Sequence, residues 1–145
     1  PGGPRRRLPW GRRGRRGGGV KLLLDTHAFL WWLADDPKLQ AQARELVADP
    51  KSVVYVSAVS LWEIAIKSRL GKLDAGSADL LDEIAANDFL ELRVSARHAL
   101  LAGSLPGHHE DPFDRMLIAQ AWMEELTIVT RDAAFGAYGV PILPT

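Results

Sequence analysis

From residue 20 onward, short runs of β-branched and aliphatic residues alternate with stretches whose apolar positions recur every three to four residues. Residues 20–24 form an apolar-rich run of the kind expected for a strand covered on both faces. Residues 26–34 and 37–48 read as helices, broken at Asp35, Asp36 and Pro37. Residues 53–56 are a second strand, β-branched and aromatic, and 58–70 a strongly apolar helix stopped by Gly71. A helix over 77–86, capped by Ser77, precedes a third strand at 89–94 and a helix at 95–103. A loop with Pro106, Gly107, His108 and His109 leads to a helix over 112–125. Residues 127–130 form a fourth strand, and 140–143 a short edge strand whose Pro141 lacks a ladder donor.

Strands separated by helices imply right-handed crossovers. The expected fold is therefore α/β, with a central, mostly parallel sheet of four to five strands and helices on both faces. In such folds ligands sit beyond the carboxyl ends of the strands, so the residues just after each strand carry the functional question.

The chain of 145 residues is long enough for one domain with a substantial core. Its zero net charge hides an asymmetry. Residues 1–19 hold seven of the 18 Lys and Arg and none of the 18 Asp and Glu, leaving 11 bases against 18 acids in the remainder, a net of −7. That first segment, rich in Gly, Pro and Arg, cannot bury enough surface to offset ordering. It is read as a disordered arm, either an RNA-binding tail or sequence foreign to the domain, with the domain itself at 20–145. No apolar run approaches the roughly 20 residues that span a bilayer, and a cytoplasmic protein with no membrane partner is expected. The absence of cysteine excludes disulfides, thiolate zinc sites and cysteine nucleophiles, so any metal must be held by oxygen or imidazole.

Four acids stand where such a fold places its ligands. Asp25 follows the first strand and Asp132 the fourth, and each reads equally as a helix cap. Glu63 lies in a helix that is otherwise almost wholly apolar, on a stripe with Ser60 and Lys67. It either lines a cleft or forms an ordinary i,i+4 pair with Lys67 on the surface. Asp111 before Pro112 reads as a cap, and Asp114, in the first turn of the helix, is favoured there by the helix dipole. In conjunction the four would repel one another unless cations bind, and hard ions such as magnesium or manganese suit an all-oxygen set. Ser57, Ser60, Thr130 and Arg131 are near enough in sequence to assist.

The segments LLLDTHAFLWWL, SAVSLWEIAIKSRLGKL, HEDPFDRMLIAQA and LTIVTRDAAFGAYGVPIL occur in the order and spacing of a known family. Over residues 20–143 the chain resembles PIN-domain ribonucleases and, within them, the VapC-type toxins of toxin–antitoxin pairs. The resemblance implies a three-layer fold and a metal centre at Asp25, Glu63, Asp114 and Asp132. One or two Mg²⁺ or Mn²⁺ ions would be held there, with Asp25 and Asp114 as direct ligands. It further implies an RNA substrate, a cognate antitoxin and a homodimer.

Two other functions fit parts of the pattern. A phosphoaspartate receiver-like domain also ends its first strand in Asp, but wants Lys after a late strand where this chain has Thr130, Arg131 and Asp132. A non-catalytic interaction module predicts that Glu63 meets Lys67 in solvent and that the four carboxylates are scattered. His27 reads as a packed helix histidine, His108 and His109 as a solvated loop, and Trp31, Trp32 and Trp62 as core or interface packing.

Overall fold

The computed structural model describes residues 20–76 and 79–145. The elements run β1 (Lys21–Leu24), α1 (Thr26–Leu33), α2 (Ala41–Ala48), β2 (Val53–Ser57), α3 (Ala58–Arg69), α4 (Leu80–Ala86), β3 (Leu90–Leu92), α5 (Ala96–Ser104), α6 (Pro112–Glu124), β4 (Thr127–Thr130), a 3₁₀ turn (Ala133–Tyr138) and β5 (Ile142–Pro144). The five strands form one sheet in the order β3-β2-β1-β4-β5, and every neighbouring pair is parallel.

Because side chains alternate across a strand, each strand feeds two cores. Leu22, Leu24, Val54, Val56 and Val129 face Phe29 of α1, Ala43 and Val47 of α2, and Ile84 of α4. Leu23 and Ile128 face Leu117, Ile118 and Ala121 of α6, together with Phe135 of the 3₁₀ turn. Helix α3 contributes to both, through Ile64 and Val59 respectively. The result is the three-layer α/β arrangement that the alternation implies. Among the described residues no helix is long and apolar enough to cross a membrane.

Several boundaries differ from the sequence reading for identifiable reasons. The helix expected from residue 37 starts only at Ala41. Asp36 instead closes a turn over Pro37, its Oδ1 accepting from Lys38 N–H at 2.9 Å and its carbonyl from Leu39 N–H at 3.0 Å. Helix α4 begins at Leu80 with Asp79 as its cap, accepting from Leu81 and Asp82. Ser77, expected as that cap, and residues 1–19 lie outside the described residues. Pro141 sits just ahead of β5, so its missing donor costs the ladder nothing, and its carbonyl accepts from Ile128 N–H at 3.0 Å.

Phe29 is fully buried between α1 and the sheet. Phe29→Ala should cost about 3–5 kcal/mol in urea-induced unfolding. Leu81→Ala, at a residue 63% exposed, should stay within about 0.5 kcal/mol of the parent protein.

Candidate active site

Strands β1 and β4 lie side by side with Leu24 level with Val129, so the residues that follow them leave the sheet at one edge. Asp25 N–H donates to the Val129 carbonyl at 3.1 Å. Its side chain caps α1, Oδ1 accepting from Ala28 N–H at 2.8 Å. The hydroxyl of Thr130, the buried last residue of β4, stands near the Asp25 carboxylate and favours its ionised form. The same Thr130 Oγ1 accepts from Asp132 N–H at 3.0 Å. One hydroxyl therefore links both strand-end acids. Burial pushes the Asp25 carboxyl above its ordinary value, against the pull of Ala28 N–H, Thr130 and His27, and Glu63 adds further repulsion.

Helix α3 is capped by Ser57, whose Oγ accepts from Val59 N–H. Its Glu63 is 4% exposed. Glu63 Oε1 accepts from the Thr26 hydroxyl at 2.5 Å, and Oε2 meets the Lys67 ammonium at 2.5 Å. The i,i+4 pair thus exists, but its carboxylate end is out of water and tied to α1 by a contact 37 residues away. The hydrogen bond to Glu63 in turn holds the Lys67 ammonium above its ordinary pKa. One turn earlier, Ser60 is fully buried and its hydroxyl has no hydrogen-bond partner among the described residues.

Asp111 caps α6 as expected, its Oδ1 accepting from Phe113 and Asp114 N–H. Asp114, in the first turn, has its carboxyl pushed up to about 7, first by burial, then by the charges of Asp111, Glu63 and Asp25, with His109 opposing them. The charges of Asp25 and Glu63 both reach Asp114, unlike the scattered arrangement expected of an interaction module. Asp132 joins the group through His109. The imidazole Nε2 lies 3.0 Å from Asp114 Oδ2 and 2.9 Å from Asp132 Oδ2. Asp132 Oδ1 meanwhile caps the 3₁₀ turn by accepting from Ala134 N–H.

His109 corrects the expectation of a solvated loop. Its backbone is pinned by Arg115, whose guanidinium and Nε donate to the carbonyls of Ala102, Leu105, Pro106 and His109. Tyr138 adds a hydroxyl bond to Pro106 at 2.9 Å. No local pattern announces this. The available signal was the placement of His109 five residues before Asp114 and of Arg115 immediately after it. His108 stays exposed, with its ring edge-on to Tyr138.

His27 is also corrected, for it is exposed rather than packed. Thr26, Ala28 and Phe29 take the buried positions at the start of α1 and turn residue 27 outward. It lines a cleft of about 300 Å³ with Asp25, Trp31, Arg131 and Asp132. Trp32 packs as expected, against Phe89 and with its indole N–H on Asn87. Trp62 is 62% exposed with its ring edge-on to Phe113.

The donors fit a hard divalent cation, being carboxylate oxygens with one imidazole, crowded enough that burial and mutual repulsion raise Asp25 and Asp114. His109 Nε2 and one oxygen each of Asp114 and Asp132 lie within 4.8 Å of one another.

Comparison with known proteins agrees with this architecture. Ribonuclease VapC22 of Mycobacterium tuberculosis is 28% identical over 125 residues, covering 83% of this chain and 93% of that protein. The fold is similar to that of DNA-bound VapBC from Salmonella typhimurium, with a TM-score of 0.62 at 20% identity over 86% of this chain and 98% of that one. It is also similar to VapBC2 from Rickettsia felis bound to a promoter DNA fragment, with a TM-score of 0.61 at 15% identity over the same shares. The PIN domain matches residues 22–141, most of the chain, and the chain belongs to that family.

Proposed function

We propose that this chain is a divalent-metal-dependent endoribonuclease and the toxin of a toxin–antitoxin pair. The observation that carries the reading is the convergence of Asp114 and Asp132 on His109, at 3.0 and 2.9 Å, with Asp25 and Glu63 close enough for their charges to raise the Asp114 carboxyl. Nothing in ordinary fold stability calls for that much buried negative charge at one sheet edge. A relative named as a ribonuclease VapC and structural neighbours solved as VapBC complexes support the same assignment.

Asp25 and Asp114 would hold Mg²⁺ or Mn²⁺ directly, and Glu63 and Asp132 would complete the shell. The bound ion supplies charge neutralisation and Lewis acidity for in-line attack of water on an RNA phosphodiester. The chain's own residues do the positioning. Thr130 fixes Asp25 relative to Asp132, and Thr26 fixes Glu63 relative to the start of α1. His109, held by Arg115, keeps Asp114 and Asp132 together. Lys67 offsets the charge of Glu63. Exposed Leu100 on α5 and Trp122 on α6 support a homodimer or an antitoxin contact as part of the same proposal. A cytoplasmic location accompanies it.

Purified full chain incubated with single-stranded RNA should cleave it with Mn²⁺ or Mg²⁺ and not with excess EDTA. Asp25→Asn and Asp114→Asn should each lower the rate by more than about 100-fold, beyond the 10–100-fold typical of residues that only orient ligands. Cleavage that persists in both variants would sink the proposal, because it would belong to a contaminant.

The raised Asp114 carboxyl adds a pH signature. Between about pH 4 and pH 7 the native state keeps a proton that the unfolded chain has released, so stability without divalent ions should fall as pH rises through that window. Mn²⁺ competes with that proton, so its affinity should increase across the same range. Urea unfolding at pH 5 and pH 7.5, with and without Mn²⁺, measures both effects, and Asp114→Asn should flatten the metal-free dependence.

A further inference from the structure

We infer that Trp31, Arg131 and His27 form a nucleobase subsite, which holds the base of a nucleotide flanking the scissile phosphate. The inference rests on the ribonuclease reading and adds to it the group by which RNA is gripped.

The cleft of about 300 Å³ shares Asp25 and Asp132 with the acidic centre, while its remaining lining is an imidazole, an indole and a guanidinium. A ligand that fills it therefore meets both carboxylates and flat π-systems. The Arg131 guanidinium carbon lies 5.0 Å over the Trp31 ring centroid. The His27 ring sits 5.8 Å from Trp31, tilted by 40°. Trp31 is anchored because it packs against the core on the α1 face of the sheet, whereas Arg131 and His27 are exposed. Among the described residues Arg131 makes no hydrogen bond or ion pair, and the Trp31 face is its recorded contact. A guanidinium placed over an indole in this way still offers planar and N–H surfaces to a further ring, and unstacked RNA bases settle on aromatic rings and guanidinium planes.

Two features favour a base over other occupants. The volume lies at the low end for ligand pockets and suits one planar ring with its sugar. The wall also offers no aliphatic anchor of the kind that receives the apolar face of a peptide helix. Grip through stacking further suits a domain whose net charge over residues 20–145 is −7, because one Arg cannot supply general phosphate affinity.

The test measures binding and cleavage separately. Fluorescence anisotropy with the full chain in Ca²⁺, used in place of Mg²⁺ or Mn²⁺, would compare four labelled homopolymeric RNA hexamers with a hexameric ribose–phosphate strand that lacks bases. The unaltered protein should bind at least one base-bearing hexamer roughly 5- to 150-fold more tightly than the abasic strand, the range expected for one stacked base. Trp31→Leu and Arg131→Gln should each remove most of that difference and leave abasic binding unchanged. Arg131→Gln, at an exposed position, carries the test if Trp31→Leu fails to fold.

Equal binding of base-bearing and abasic strands by the unaltered protein would overturn the subsite. So would variants that weaken both kinds of strand alike, the mark of a phosphate contact. Variants that bind every hexamer as the unaltered protein does would also overturn it and leave the wall to a protein partner. Cleavage of the same hexamers in Mn²⁺ keeps the two proposals apart. Cleavage without a base effect removes the subsite alone, whereas neither binding nor cleavage removes the ribonuclease reading with it.

Discussion

Negative charge withheld from water at the carboxyl edge of the sheet is the constraint around which the rest of this domain is arranged. Two like charges 4 Å apart repel by about 4 kcal/mol at an effective dielectric of 20, several times what a surface ion pair returns. Asp25, Glu63 and Asp114 all lie within range of one another's field. The surrounding polar contacts read as compensation for this. Lys67 sits on one oxygen of Glu63 and the Thr26 hydroxyl on the other. Ala28 N–H and Thr130 serve Asp25, and His109 serves Asp114 and Asp132 together. Even so, burial and repulsion leave Asp114 with its carboxyl near 7. Bound at this edge, a divalent cation would relieve in one step what these neighbours relieve in part.

Helix capping leaves these acids an oxygen for a further contact, so capping and ligand placement are compatible here rather than rival explanations. A carboxylate has two oxygens, and a cap consumes one. Asp132 shows the division directly, with Oδ1 on Ala134 N–H and Oδ2 on His109. Asp25 spends Oδ1 on Ala28 N–H. The cap fixes the rotamer and thereby aims the second oxygen, which for Asp132 meets His109.

The loop before α6 shows how an irregular segment acquires comparable rigidity. Its backbone carbonyls have no ladder to satisfy them, and the planar donor fork of Arg115 takes up those of Leu105, Pro106 and His109 while Nε reaches Ala102. Arg115 stands next to Asp114, so one helical turn presents a carboxylate to His109 and also holds the loop that brings that imidazole to it. Lysine, with a single ammonium, could not reproduce that set of contacts.

What the sequence determined by itself is what short-range patterns encode. The alternation of apolar runs and helical periodicity yields a parallel α/β sheet, and the position of acids after strands and at helix starts marks Asp25, Asp111, Asp114 and Asp132 as caps or ligands. Those features depend on residues a few positions apart. The helix start at Ala41 and the strand limits at Leu90 and Leu92 were less legible, because turn hydrogen bonds and edge position compete with local propensity there. Only the tertiary structure decided which of two open readings Glu63 obeys, and it obeys parts of both, with a Lys67 pair whose carboxylate is buried. It also decided the surroundings of Thr130, Arg115, His109, His27 and Trp31. Each depends on a meeting of side chains or carbonyls from different elements: 23 residues for His109 and Asp132, 37 for Thr26 and Glu63. Periodicity along a chain fixes which way a side chain faces, but the field it meets is set by what the fold brings opposite.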